Sequence, residues 1–126
     1  MATVLIADDS KFQVQLLSSY LSDQGYEVLT AMDAMQGSMA AMRHSPDAIV
    51  LDINMPGGTG FEVLKRLKNS TKTQHIPVVI VSGSEMDPEA AKRIGAAAYL
   101  HKPIDAAQLC DTVGKLISEK RPRKRN

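Results

Sequence analysis

At 126 residues, with 44% apolar and 23% charged side chains, the chain has the size and composition of one globular domain able to bury a core. Its longest unbroken apolar run, Ala96 to Leu100, is far too short to span a membrane, and its single cysteine, Cys110, excludes an internal disulfide. The net charge of +1 hides an uneven distribution: Lys120, Arg121, Arg123, Lys124 and Arg125 crowd the last seven residues, leaving 10 basic against 14 acidic residues elsewhere.

Met1-Ala2-Thr3 runs directly into a strand-like segment without the basic n-region of a signal peptide, so a reducing, cytoplasmic setting is expected. Thr3–Ala7 is apolar without polar alternation, the pattern of an interior strand buried on both faces of a parallel sheet. Over Lys11–Gln24, Val14, Leu17 and Leu21 share one face with Leu16 and Tyr20 beside it, which predicts an amphipathic helix stopped by Gly25. Tyr26–Ala31 is more polar and suits a sheet edge. Pro46 closes a second helix, after which Ala48–Leu51 and Pro77–Val81 repeat the interior-strand pattern. A helix over Pro88–Gly95 stops at its glycine, and the short run Ala97–His101 suits the other edge. In Asp105–Glu119, Leu109, Val113, Leu116 and Ile117 align on one face. Asp105 can cap this helix, and Cys110 reads as a small core residue within it. The Pro-containing basic tail, 120–126, follows a folded region of 1–119. Its charges are not spread over a folded face, so weak nonspecific contact with nucleic acid is the most it predicts.

Five strand–helix units without repeats imply an open, doubly wound α/β sheet with its ligand site at the carboxyl ends of the central strands. The chemistry of the chain collects at those ends. The first interior strand runs into Asp8-Asp9-Ser10, the next into Asp52-Ile53-Asn54-Met55-Pro56, the third into Ser82-Gly83-Ser84, and the last into His101-Lys102-Pro103. A lone aspartate after a strand is ordinarily a cap or turn residue, and a lone Lys-Pro a turn. Placed together at four strand ends, they become three carboxylates, a hydroxyl and an ammonium on one rim. Three close carboxylates resist ionisation without compensation, and hard oxygen ligands with open positions suit Mg²⁺. Lys102 adds a fixed positive charge for anionic oxygens, and an aspartate can accept a phosphoryl group covalently.

These segments resemble the response-regulator receiver domain over residues 3–119. The resemblance is carried by Val4-Leu5-Ile6-Ala7-Asp8-Asp9-Ser10, Leu51-Asp52-Ile53-Asn54-Met55-Pro56, Gly60-Phe61-Glu62-Val63-Leu64, Val81-Ser82-Gly83 and Gly95 through Pro103. It implies a flavodoxin-like parallel sheet of order 2-1-3-4-5 with helices on both faces. It also implies that Asp52 takes a phosphoryl group from a phosphohistidine of a sensor kinase or phosphotransfer protein. Asp9, Asp52 and the backbone carbonyl of Asn54 match the ligands of Mg²⁺, with Mn²⁺ as a substitute, and Asp8 matches a residue reaching the metal through water. Lys102 matches the phosphoryl-binding lysine, Ser82 the hydroxyl drawn toward the phosphoryl group, and Tyr99 the aromatic that moves with it. The Lys102–Pro103 bond matches the family's cis peptide. The downstream partner is expected on the face of the fourth helix, last strand and last helix. Two departures stand out: serine rather than threonine at 82, and Gly57-Gly58-Thr59-Gly60 without an acidic residue before its last glycine, read as a change in loop flexibility.

A nucleotide or flavin binder of this fold class needs a phosphate-cradling loop after the first strand, where this chain carries two carboxylates. A magnesium-dependent phosphohydrolase with an aspartyl nucleophile, resembling the haloacid dehalogenase group, wants a second aspartate at position 54, where Asn54 stands. His44, His75 and His101 match no metal-ligand spacing. The reading is a phosphorylation switch that catalyses its own phosphorylation and slow dephosphorylation and transforms no outside metabolite.

Overall fold

The computed structural model describes residues 1–55, 58–83 and 88–120. Five parallel strands form one sheet: β1 (Thr3–Ala7), β2 (Glu27–Ala31), β3 (Ala48–Asp52), β4 (Val78–Ser82) and β5 (Ala98–His101), in the order β2-β1-β3-β4-β5. Helices α1 (Lys11–Asp23), α2 (Ala34–His44), α3 (Gly60–Lys68), α4 (Pro88–Arg93) and α5 (Ala106–Lys120) alternate with them. The runs with no polar alternation, β3 and β4, are buried at every residue, as central strands covered on both faces must be. The more polar β2 and the short β5 lie at the two edges.

The period of two along each strand divides the core. Val4, Ile6, Val50, Val79 and Val81 face α1 and α5, where Leu17, Leu21, Leu109 and Val113 pack. Leu5, Ile49, Leu51 and Ile80 face the opposite way, against Ala41, Leu64 and Leu67. Each fully buried Leu or Ile contributes roughly 1.5–3 kcal/mol relative to exposure, so both layers are needed. The expected face of α1 is the observed one: Val14, Leu17 and Leu21 are its buried residues. Cys110 is partly buried against the α1–α5 layer, and its thiol donates to the carbonyl of Tyr20 at 3.6 Å. No helix among the described residues is long and apolar enough to cross a membrane.

Element ends differ from the sequence reading by a residue or two, for local reasons. β3 and β4 run one residue further, so Asp52 and Ser82 are the last residues of strands rather than the first of loops, paired with Val81 and His101 respectively. Pro46 does not itself end α2; Ser45 does, in a left-handed conformation (φ 45) whose N–H donates to the carbonyl of Ala41. Gly25 and Gly95 have positive φ, as helix stops. α5 continues through Lys120, one residue past the expected domain end, and 121–126 of the expected tail lie outside the described residues.

The largest correction concerns the glycine run after Asp52, whose Gly57 lies outside the described residues. Gly60 is the first residue of α3, not a loop residue. Thr59 caps α3 by accepting from the N–H of Glu62, and the Glu62 carboxylate accepts from the N–H of Thr59, a reciprocal capping box. Asn54–Met55 pairs antiparallel with Gly58–Thr59, so this connection is a small hairpin. The Gly60 N–H donates to the carbonyl of Ile53 at 2.6 Å. A Cβ at Gly60 would sit 2.5 Å from the carbonyl oxygen of Asp52 and 2.7 Å from the Cα of Ile53. Only a glycine lets α3 begin this close to the strand carrying Asp52. Gly60→Ala is therefore expected to cost about 1–3 kcal/mol, as overpacking against backbone does. Gly83→Ala, where an added Cβ meets nothing within 4 Å, should cost much less. Urea unfolding of the two variants checks this; equal losses would remove the close-approach role.

Candidate functional site

At the carboxyl ends of β1, β3, β4 and β5 the polar residues converge. Asp8, Asp52 and Ser82 are 1%, 4% and 2% exposed, the deepest polar residues at this rim, while Asp9 is exposed. Oxygens of Asp8, Asp9 and Asp52 lie within 4.8 Å of one another. The Lys102 ammonium is 3.4 Å from Asp8 Oδ2 and 3.5 Å from Asp52 Oδ1, so one cation serves both buried carboxylates.

Each group is fixed by its own backbone. Asp8 follows β1, and its N–H donates to the carbonyl of Ala31 on β2. Its Oδ1 accepts from the N–H of Ser10 at 2.9 Å, a turn that leaves Oδ2 for Lys102. Ser10 in turn caps α1 by accepting from Gln13, so the capping and the acidic roles fall on different residues. The Asp52 Oδ1 accepts from the N–H of Asn54 at 3.4 Å. Lys102 donates its backbone N–H to the carbonyl of Ser82 at 2.8 Å, tying the end of β5 to the end of β4, and the Lys102–Pro103 bond is cis. Asp105 caps α5 by accepting from Gln108.

Burial pushes the Asp52 carboxyl above its ordinary value, and the nearby charge of Asp8 pushes it the same way. The Lys102 charge and the Asn54 N–H act against this without cancelling it. The pocket is thus short of positive charge. Its donors are hard carboxylate oxygens arranged at a separation one ion can bridge, a set that fits a hard divalent cation and not a soft one.

Two of the expected residues stand somewhat apart. The alternation along β4 and β5 puts Ser82 and Tyr99 on the same side of the sheet, and Tyr99 pairs with Ile80, two residues before Ser82. Tyr99 is half-buried against the α2–α4 layer. Asn54 is exposed at the start of the small hairpin. The sequence reading assigned it a carbonyl role and did not foresee its N–H on Asp52. Gly60 was missed as a site residue. Its signal was the Thr59…Glu62 capping box, which marks position 60 as the opening of a helix.

Residues 4–114 match the family model of the response regulator receiver domain. Over 120 residues the chain is 37% identical to Protein PilH of Pseudomonas aeruginosa, covering 94% of this chain and 99% of that one. It is 39% identical over 117 residues to the response regulator PleD of Caulobacter vibrioides, the match taking in 91% of this chain and 26% of PleD. The solved chemotaxis response regulator CheY4 of Vibrio cholerae superimposes with a TM-score of 0.85 at 35% identity, covering 92% of this chain and 98% of that one.

The raised Asp52 carboxyl has a consequence for stability. Folded Asp52 holds its proton more tightly than the unfolded chain does, so ionising it opposes folding. That cost is absent below the ordinary carboxylate range, grows as pH rises through it, and is full above the raised folded value. In EDTA, Asp52→Asn is expected to unfold several degrees above wild type at neutral pH and to lose that advantage near about pH 3. Thermal melts at the two pH values test it, and a variant no more stable than wild type at neutral pH contradicts the account.

Proposed function

The chain belongs to the response regulator receiver domain family of two-component signalling, and from that premise we propose that it is a phosphorylation-operated switch whose acceptor is the Asp52 carboxylate. The observation that carries this reading is the single ammonium of Lys102 held 3.4–3.5 Å from two buried carboxylates at the strand ends. A structural ion pair needs one carboxylate. Two, with a third within 4.8 Å, make a pocket whose excess negative charge calls for a cation.

An Asp52 oxygen attacks the phosphorus of a phosphohistidine on a sensor kinase or phosphotransfer protein. The new P–O bond forms as the P–N bond breaks, and the electron pair stays on the imidazole nitrogen, which takes a proton from solvent. Asp9, Asp52 and the Asn54 backbone carbonyl would hold Mg²⁺, or Mn²⁺ in its place, with Asp8 reaching it through water; the ion supplies positive charge for the phosphoryl oxygens. Lys102, 3.5 Å from Asp52 Oδ1, pairs with a further oxygen of the transferred group. The Ser82 hydroxyl donates to another, drawing the end of β4 toward Asp52. Tyr99, diagonal to Ser82 on the neighbouring strand, shifts with that movement and alters the face of α4, β5 and α5 where a downstream protein binds. The chain turns over no outside metabolite, and its partners are proteins met in the cytoplasm. An allosteric coupling of about 1–3 kcal/mol is enough to change partner affinity tens-fold.

With acetyl phosphate and Mg²⁺, one phosphoryl group is expected on Asp52. Asp52→Asn should abolish the labelling, Asp9→Ala should weaken labelling and Mg²⁺ binding together, and Asp8→Ala should do less. Undiminished labelling of Asp52→Asn, or normal labelling in excess EDTA, would sink the assignment.

Ser82→Ala should remain phosphorylatable while losing much of the conformational response. Amide shifts across residues 83–105, with and without beryllofluoride, report this. Identical shift changes in wild type and variant would mean the coupling bypasses the hydroxyl.

A further inference from the structure

On the side of the sheet away from α1 and α5, α3 and α4 enclose a half-open cleft of about 600 Å³. Its lining is Phe61, Lys65, Lys68, Asn69, Ala90 and Ile94. The volume falls within the range of ligand sites. Phe61 and Ile94 are 36% and 43% exposed, so two large apolar side chains face solvent from opposite walls of one depression. Single exposed apolar residues are ordinary, but a paired set in a concavity marks a binding surface.

The charge around the cleft is one-sided. The glutamates, Glu62 and Glu89, sit in the first turns of α3 and α4, whereas Lys65, Arg66 and Lys68 fill the last turn of α3, and Lys92 and Arg93 that of α4. Of these, Lys65 and Lys68 line the cleft itself. Cations in a last turn also complement the helix dipole, but that role requires no exposed apolar floor. The floor is tied to both helices. The Lys68 ammonium donates to the carbonyls of Gln74 and Ile76 at 3.1 and 3.0 Å, and its methylenes pass the backbone of Gly95, where a Cβ would come within 3.1 Å. Lys68 thus braces α3 against the turn that ends α4, and Lys65 remains on the exposed rim.

We propose that this cleft docks an acidic amphipathic helix of a protein partner, its apolar stripe seated on Phe61, Ala90 and Ile94 and its carboxylates against the basic last turns of α3 and α4. Apolar anchors framed by complementary charge are the requirements of helix-in-groove recognition. The surface shares α4 with the α4–β5–α5 face but is lined by α3 in place of β5 and α5. A second exposed apolar row, Met35, Met39 and Met42 along α2, is the competing surface, but its neighbours Gln36, Arg43 and His44 frame no comparable cleft between two helices.

The probe is a blocked peptide of about 16 residues, long enough for helix formation in a groove, with Leu at helical spacing and Glu at most other positions. A matched peptide carries Lys in place of Glu. Titrated into the labelled 126-residue chain, the Glu peptide is expected to shift amides within 60–69 and 88–95, and the Lys peptide not to. Combined Phe61→Ala and Ile94→Ala should weaken binding by about tenfold or more. Lys65→Glu, on the exposed rim, should weaken it several-fold and narrow the preference over the Lys peptide. Unchanged melting temperatures and acetyl-phosphate labelling verify that the variants fold. Shifts centred on Met35, Met39 and Met42 or on β5 and α5, equal binding of both peptides, or no binding at millimolar peptide would overturn the proposal.

Discussion

One ammonium group holds the functional end of this protein together. Lys102 is the cation between Asp8 and Asp52, and both carboxylates are buried where water screens little. Its position is set by the main chain: the Lys102 N–H donates to the carbonyl of Ser82, so the residue that balances the acidic pair hangs on the end of β4. A change in charge at Asp52 therefore meets a group joined by backbone to the neighbouring hydroxyl. Electrostatics and chain geometry act here through the same few atoms.

The sheet makes this crowding possible. β3 and β4 are buried throughout, so their polar residues can appear only where the strands end. The helices that follow take their caps from other side chains: Ser10 for α1, Asp33 for α2, Thr59 for α3 and Asp105 for α5. Asp9 and Asp52 are in this way freed from capping, and Asp8 keeps one oxygen for Lys102 while the other closes its turn. Gly60 completes the arrangement, since any side chain there would press on the Asp52 peptide.

Much of this was legible in the sequence because burial and period leave direct marks. Interior strands read as unbroken apolar runs, edge strands as polar or short ones, and both α1 and α5 as faces spaced at helical intervals. Asp8, Asp9, Asp52, Ser82 and Lys102 were legible jointly, because each terminates a recognisable run. What escaped was set by three-dimensional proximity. The closeness of Gly60 to Asp52 depends on a hairpin of two-residue strands, too short to show periodicity. The Asn54 N–H on Asp52 depends on the conformation of the same connection. Ser45 ends α2 in place of the expected Pro46 because a left-handed cap closes the last carbonyls one residue before the proline blocks the helix. The two walls of the α3–α4 cleft are 21 or more residues apart in sequence, Asn69 and Ala90 being the nearest pair, so no local pattern could announce it.

The two faces of the sheet stand in different relations to the site. By strand alternation, Asp52 continues the row of Val50, toward α1 and α5, while Ser82 continues the row of Ile80, toward α2, α3 and α4. Under α1 and α5, Leu17, Leu21, Leu109 and Val113 form a layer of fully buried side chains, which any displacement there would have to move. On the other face, α3 starts in backbone contact with Asp52 at Gly60, and α4 lies beyond the strand end that carries Ser82. The α3–α4 side also keeps an open cleft between its helices. The α3–α4 layer is the one to which both Asp52, through its peptide, and Ser82, through its strand, are directly attached.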